Sequence, residues 1–113
     1  MIRSFIICLT LFMFSSAAKA DGMLMIGQGA TTCATYNAEL QSSPTREMFY
    51  LAWAHGYMSA INARNTQTDT SVDLSSQLDT RAQNQFLRGF CMANPDKWFV
   101  FGVMELMGIL GKT

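Results

Sequence analysis

Apolar residues recur at helical spacing along most of the chain, and no long window shows the alternation of a β-strand. The pattern predicts four helices. The first is short, covers about 32–40, and has Thr31 or Thr32 as its N-cap. A polar segment, 64–73, separates the second helix from the third.

The second helix has the clearest start signal and the broadest apolar surface. Ser43 precedes proline at the first helical position, and Glu47 lies in the first turn, where the helix dipole favours an acid. The helix is predicted to run to about Ala63. Gly56 is costly inside a helix, so we expect another helix to approach it closely. Two neighbouring stripes form the predicted inner face: Phe49, Trp53, Gly56, Ala60 and Ala63, and beside them Tyr50, Ala54, Tyr57 and Ile61.

The last two helices follow the polar segment. Asp73 is the predicted cap of the third helix, which ends near Ala93. A second cap, proline and acid signal at Asn94-Pro95-Asp96 is predicted to start the fourth helix, which Gly111 ends. That helix is too apolar to lie exposed, so we expect it in the core or under a partner. The inner face predicted for the third helix consists of Leu78, Ala82, Phe86, Leu87, Phe90 and Cys91.

Residues 1–20 are typical of a cleavable signal peptide, with Arg3, an apolar run and an Ala-x-Ala site ending at Ala20. A retained membrane anchor is the alternative, but the apolar run is shorter than a membrane span requires. The Gly-rich segment 21–31 is predicted to be a flexible, loosely docked arm, and 32–113 a single helical domain. The chain is therefore predicted to be exported, to the periplasm or into the medium.

Cleavage after Ala20 removes Cys8 and leaves two cysteines, Cys33 and Cys91. An even count in an exported chain predicts a disulfide, whereas metal binding lacks a Cys-x-x-Cys motif and has one histidine to draw on. A disulfide between them closes a loop, and the chain-entropy model gives this closure a contribution of about 4 kcal/mol to the free energy of unfolding. The predicted fold class is all-α: a small bundle of about four helices held by the Cys33–Cys91 disulfide.

No catalytic constellation is visible, so the chain is predicted not to be an enzyme and to need no cofactor or metal. His55 is the only histidine. It has two interpretations: a general base or pH switch, or a histidine without such a role on the flank of a packed helix. The acids are scattered, and Gly27-Gln28-Gly29 lacks the context of a nucleotide site. After cleavage six basic and eight acidic side chains remain, dispersed along the chain, which excludes a nucleic-acid surface and a lipid anchor.

Two motifs carry a family resemblance. One is the helix Trp53-Ala54-His55-Gly56-Tyr57-Met58-Ser59 with Asn62 close behind, and the other is the junction Cys91-Met92-Ala93-Asn94-Pro95. Over roughly 33–109 the chain resembles small exported bacterial helical proteins with one disulfide. It is similar to the acid-stress chaperone HdeA in size and disulfide placement, and to the Tai-type immunity proteins that neutralise amidase toxins. The residues that the resemblance marks for structure or interaction are Trp53, Gly56, Tyr57, Ser59, Asn62, Asn94 and Pro95.

Three functions follow from these observations. The first is a non-catalytic periplasmic protein-binding module of the immunity or inhibitor type, because aromatic and methionine side chains are abundant and enriched at interfaces. The same side chains can instead pack the core or a homodimer seam. The second is an acid-activated chaperone, with Glu47, Asp73 and Asp96 as the candidate carboxylates. The third is a structural envelope protein without a dedicated ligand.

Overall fold

The computed structural model describes residues 25–74 and 78–111. The predicted signal peptide and its cleavage site lie outside these residues. Within them the fold is all-α, with an isolated antiparallel bridge between Thr32 and Trp98 in place of any strand. The four α-helices are α1 (Cys33–Ser42), α2 (Glu47–Asn65), α3 (Thr80–Ala93) and α4 (Phe99–Leu110), and short 3-10 turns cover Gly27–Ala30, Pro44–Arg46 and Thr66–Thr68.

Helix α4 is the centre of the core. Burial explains the apolar residues on one side, which faces α2 and α3 and where Phe99, Val103 and Leu106 are inaccessible to solvent. On the opposite side Phe101, Met104 and Ile109 are exposed. The ring of Phe99 stacks on Tyr36 of α1 at 5.1 Å between centroids and meets Tyr50 of α2 edge-on at 5.0 Å. This aromatic cluster joins three helices. The placement of α4 in the core is confirmed, and Gly111 ends the helix as predicted.

The start of α1 is tied to the segment that precedes α4. Thr32 caps α1, and its hydroxyl accepts from the Thr35 N–H. Two other first-turn N–H groups, of Cys33 and Ala34, donate to the carbonyl oxygens of Lys97 and Pro95 at 2.7 and 2.8 Å. Helix N-termini leave such donors without intrahelical partners. Here the chain itself supplies the acceptors.

The disulfide prediction is confirmed. Cys33 and Cys91 are bonded, with 2.03 Å between the sulfur atoms and 4.7 Å between the Cα atoms, and both residues are fully buried. The bond joins α1 to α3 at the same corner where the backbone hydrogen bonds from α1 reach the 95–97 turn. The disulfide and these hydrogen bonds therefore hold the start of α1 at the same corner.

Two predicted helix starts are wrong. Asp73 does not cap α3, because that helix begins at Thr80 and Asp79 accepts from the Ala82 N–H at 2.8 Å. The fourth helix does not begin at Pro95. Residues 95–97 form a turn whose carbonyls point to α1, and the helix starts only at Phe99.

The predicted inner face of α2 is partly wrong. The buried residues are Tyr50, Leu51, Ala54 and Met58, so the second stripe faces the core as predicted. Apart from Trp53, the first stripe faces solvent, since Phe49, Gly56, Ala60 and Ala63 are exposed. Among the described residues no helix approaches Gly56, since a Cβ atom built there would meet nothing within 4 Å. In the described part of the chain, no helix has both the length and the hydropathy that crossing a membrane requires.

Candidate interaction surface

Trp53 and Tyr57 form an aromatic platform on one flank of α2. Their rings stack at 5.3 Å between centroids with an interplanar angle of 16°. The indole Nε1–H of Trp53 donates to the Ile26 carbonyl at 3.1 Å. Both motif residues therefore serve the fold, because the platform receives the segment that precedes α1.

The described part of the predicted arm, 25–31, lies against this platform. Gly29 is buried, and a Cβ atom there would stand 2.0 Å from the Trp53 ring. Gly27 has a positive φ of 79°, a conformation that glycine adopts at little cost. The glycines do exclude an α-helix, as expected. The prediction of a loosely docked arm differs from the structure at 25–31, because the glycines allow the backbone to pack against the indole of Trp53.

Asn62 fixes the end of α2 to the segment that follows. Its Nδ2 donates to the Val72 carbonyl at 2.8 Å, and its Oδ1 accepts from the Val72 N–H at 2.7 Å. The side-chain amide thus pairs with both backbone groups of Val72, as a residue on a neighbouring strand would. This motif residue has a structural role.

The Cys91–Pro95 junction is also structural. The Asn94 Nδ2 donates to the Phe90 carbonyl at 2.9 Å, satisfying one acceptor at the end of α3. The Asn94 carbonyl accepts from Lys97, which closes the turn. Pro95 supplies the carbonyl that meets α1. The junction and the disulfide therefore hold the same two helices together.

The motif residues Gly56 and Ser59 face solvent, and they belong to a larger uncharged surface. From Met48 to Ala63 the sequence contains no Asp, Glu, Lys or Arg, although about half of that helix surface is exposed. Phe49 is 54% exposed and Met48 64% exposed. We call this surface the outer face of α2, formed by Met48, Phe49, Ala52, His55, Gly56, Ser59, Ala60 and Ala63.

His55 lies at the edge of a cleft of about 410 Å³ between α2 and α3, which Ser59 also lines. Gln83 donates its Nε2–H to the Leu78 carbonyl at 2.9 Å, so its Oε1 is left to accept from His55 Nε2 at 2.8 Å. This geometry places a proton on Nε2. The contact fits a histidine on the flank of a packed helix, since in the described residues no hydrogen bond links Ser59 to His55.

A second cleft, of about 440 Å³, separates α1 from α3. Tyr36 lies at its base, 1% exposed, and the Tyr36 hydroxyl has no hydrogen-bond partner among the described residues. Burial and the nearby charge of Glu47 raise the pKa of this phenol, although Arg88 acts in the opposite direction. The hydroxyl therefore remains a donor. The other residues that line the α1–α3 cleft are Asn37, Leu40, Gln41, Arg88 and Met92.

The electrostatics of the α1–α3 cleft are nearly balanced. The Arg88 guanidinium forms an ion pair with Glu47, joining α3 to the first turn of α2. The Asn37 Nδ2 donates to the Cys91 carbonyl at 3.1 Å, so its Oδ1 remains available as an acceptor. Met92 on the rim is 76% exposed. The cleft thus offers amide groups and apolar walls, whereas the Tyr36 hydroxyl is closed to solvent.

Sequence reasoning missed the α1–α3 cleft. It also missed Gln83, a buried polar residue that pairs with His55 on α2 and with the Leu78 carbonyl before α3. Neither has a local signal, because both environments arise from residues distant in sequence. Among residues 25–74 and 78–111, no three His, Cys, Asp or Glu side chains are grouped to hold a metal ion.

No protein-family model, curated protein or solved structure matches this chain.

Proposed function

We propose that the processed chain is a non-catalytic periplasmic protein-binding module and that the outer face of α2 is its interaction surface. One observation carries the proposal: a solvent-facing helix surface without a permanent charge between Glu47 and Arg64. The exposed side of an amphipathic helix normally carries charged and polar residues. Depletion of charge, with aromatic and methionine side chains exposed, is typical of the centre of an interface.

The shape of this face supports a helical or flat partner surface. Ala52, Gly56 and Ala60 lie one turn apart on the exposed side, and nothing lies above Gly56 within 4 Å. Small side chains allow the backbone of a partner to come close. Met48 and Phe49 at one end supply large apolar groups for its anchoring. The resemblance to immunity proteins makes inhibition of a hydrolase the specific form of this proposal.

A second candidate, an acid-activated chaperone, draws on the carboxylates between helices. Glu47 pairs with Arg88 between α2 and α3, and Glu39 accepts from the Tyr50 hydroxyl at 2.8 Å between α1 and α2. These are the contacts between helices that such a chaperone would release in acid. A chaperone of this kind exposes dye-binding apolar surface at pH 2 to 3 and loses its near-UV signal. Retention of both properties in acid contradicts it.

The experiment captures partners with the oxidised, processed protein from periplasmic and secreted fractions at neutral pH. The test variant is Ala60→Lys, which places a charge on the outer face at an exposed position. The matched control is Ala38→Lys, at an exposed position on α1. We expect one stoichiometric partner that the wild type and the control retain and that Ala60→Lys loses.

Two outcomes contradict the proposal. One is equal capture by Ala60→Lys and the wild type, and the other is the absence of any stoichiometric partner at neutral pH. Size-exclusion chromatography of the same three proteins identifies a homodimer, because a dimer through this face dissociates in Ala60→Lys alone. A captured hydrolase is then assayed with and without the protein to test inhibition.

A further inference from the structure

The fold divides its methionine side chains into exposed and protected ones, although methionine is among the residue types most often buried. Among the described residues, Met92 on α3 is 76% exposed, Met48 on α2 is 64% exposed and Met104 on α4 is 44% exposed. Met58 belongs to the same helix as Met48, but it is 1% exposed and lies in the core. A reagent in solution therefore meets the thioethers of α2 unequally.

No thiol competes with the exposed thioethers in the described part of the chain. Cysteine and methionine are the side chains that two-electron oxidants such as hydrogen peroxide attack, and an accessible thiolate reacts readily. Here Cys33 and Cys91 are joined in a disulfide, and both are fully buried. An oxidant that reaches the folded domain therefore reacts first with exposed methionine.

We propose that Met48 and Met92 are reversible oxidation sites of the folded protein, with peroxides and hypohalous acids as the reactants. With hydrogen peroxide, the thioether sulfur loses two electrons and gains one oxygen atom, the O–O bond breaks, and the other oxygen leaves as water. Both side chains are exposed, so the domain accommodates the sulfoxides without unfolding. Exposed sulfoxides are also accessible to methionine sulfoxide reductases, which restore the thioether.

The two sites differ in the consequence of oxidation. Met48 lies beside Phe49 on the outer face of α2, whereas Met92 lies on α3 at the rim of the α1–α3 cleft. A sulfoxide is polar, and its formation disrupts interfaces that contain methionine. Oxidation of Met48 should therefore weaken partner binding about tenfold. This consequence, unlike the oxidation itself, rests on the proposed function.

The test is a time course of the processed protein, with its disulfide intact, in excess hydrogen peroxide. Samples are reduced, alkylated, digested with trypsin and examined by mass spectrometry. Trypsin cuts after Arg46 and Arg64, so Met48 and Met58 lie in one peptide and their oxidation is compared directly. We expect Met48 and Met92 to react at least about tenfold faster than Met58, since a buried thioether reacts only when the fold opens.

The same time course in denaturant is the control. There Met48 and Met58 should react at equal rates, because the fold no longer protects Met58. In the folded protein, Met104 should react at an intermediate rate, in line with its exposure. The protein oxidised at Met48 and Met92 should keep its near-UV signal, and methionine sulfoxide reductases A and B together should restore its mass.

Four results overturn the inference. They are equal rates for Met48 and Met58 in the folded protein, a difference between them that persists in denaturant, loss of the near-UV signal when only Met48 and Met92 are oxidised, and sulfoxides that both reductases leave unchanged.

The variants Met48→Leu and Met92→Leu test the consequence at the interface. Each is used to capture the partner with and without prior peroxide treatment, the peroxide being removed first, and is compared with its own untreated form. Peroxide should weaken binding by Met92→Leu, which retains Met48, and should not alter binding by Met48→Leu. The reverse pattern contradicts control of the interface by Met48. If no partner is captured at all, the proposed function fails, while the peptide map still decides whether Met48 and Met92 are oxidation sites.

Discussion

Asn62 and Val72 exchange two hydrogen bonds, from the asparagine Nδ2 to the valine carbonyl and from the valine N–H to the asparagine Oδ1. The pair anchors the segment after α2 to the end of that helix. We predict that Asn62→Ala lowers the free energy of unfolding by about 1–3 kcal/mol, because both peptide groups of Val72 lose their partner. Urea unfolding measures the loss, and the Val72 amide should exchange faster with solvent.

Asn84→Ala is the control for this prediction. Asn84 is a partly exposed asparagine on α3, so the same change of side chain should alter stability by less than about 0.5 kcal/mol. Equal effects of the two substitutions contradict an anchoring role for Asn62.

Substitution by alanine should have opposite effects on stability at Gly29 and at Gly89. At Gly29 a Cβ atom would stand 2.0 Å from the Trp53 ring, whereas at Gly89 it would meet nothing within 4 Å. We expect Gly29→Ala to be destabilising by about 1–3 kcal/mol, because the 25–29 segment or the indole must shift. Gly89→Ala should stabilise by up to about 1 kcal/mol, since alanine favours a helix interior.

The fluorescence of Trp53 distinguishes the cause. Undocking of the segment in Gly29→Ala exposes the indole and shifts its emission to longer wavelength, while Gly89→Ala should leave the emission unchanged. If Gly29→Ala is destabilised but its emission is not shifted, the result contradicts undocking of the segment from the indole.

The disulfide should be a major contribution to stability. It closes a loop with a sequence separation of 58 residues, which the chain-entropy model values at about 4 kcal/mol. We predict that the double variant Cys33→Ser, Cys91→Ser loses a comparable free energy of unfolding. The wild type measured in reductant is the control and should match the double variant. A loss below about 1 kcal/mol in both contradicts the prediction.

Stability should fall in alkali. Burial, and then the hydrogen bond to Glu39, raise the pKa of Tyr50 to about 12, above the ordinary value of 10.0 in the unfolded chain. Between these values the folded state binds more protons than the unfolded one, so stability is present in full below pH 10 and is lost as pH rises towards 12. The expected slope is about 1.4 kcal/mol per pH unit for each such phenol.

Denaturant unfolding from pH 9 to 12 measures this slope. Tyr36 contributes in the same direction, since burial raises the pKa of its phenol as well. Tyr50→Phe should therefore be less stable than the wild type at neutral pH, through loss of the bond to Glu39, but should lose less stability between pH 10 and 12. Parallel pH profiles of the two proteins contradict the prediction.

The fold class, the disulfide and the core position of α4 were predictable because each depends on a local or compositional signal. The cap of α1 was predicted as Thr31 or Thr32, and Thr32 is the one that caps the helix. The start of α3 was not predictable from local chemistry, because the sequence before it contains several capping residues, of which Asp79 caps the helix. The cap, proline and acid signal at Asn94 is overridden, because the Pro95 and Lys97 carbonyls accept from α1.

The candidate surfaces were harder to predict than the fold. Helical periodicity identifies apolar stripes on α2, but it cannot tell which stripe faces α4 and which faces solvent, and so Phe49 was assigned to the inside. The motif residues Trp53, Tyr57 and Asn62 hold the fold together, and Gly56 and Ser59 lie on the outer face. The α1–α3 cleft depends on Tyr36, Arg88 and Met92, which no sequence window brings together.

The close fit between Gly29 and Trp53 also constrains how this protein can change in evolution. The space above the indole is filled by the glycine backbone, so the volumes of the two residues are interdependent. A larger residue at position 29 is compatible with the docked segment only when position 53 becomes smaller. In related chains we therefore expect positions 29 and 53 to covary, with glycine retained wherever tryptophan is present.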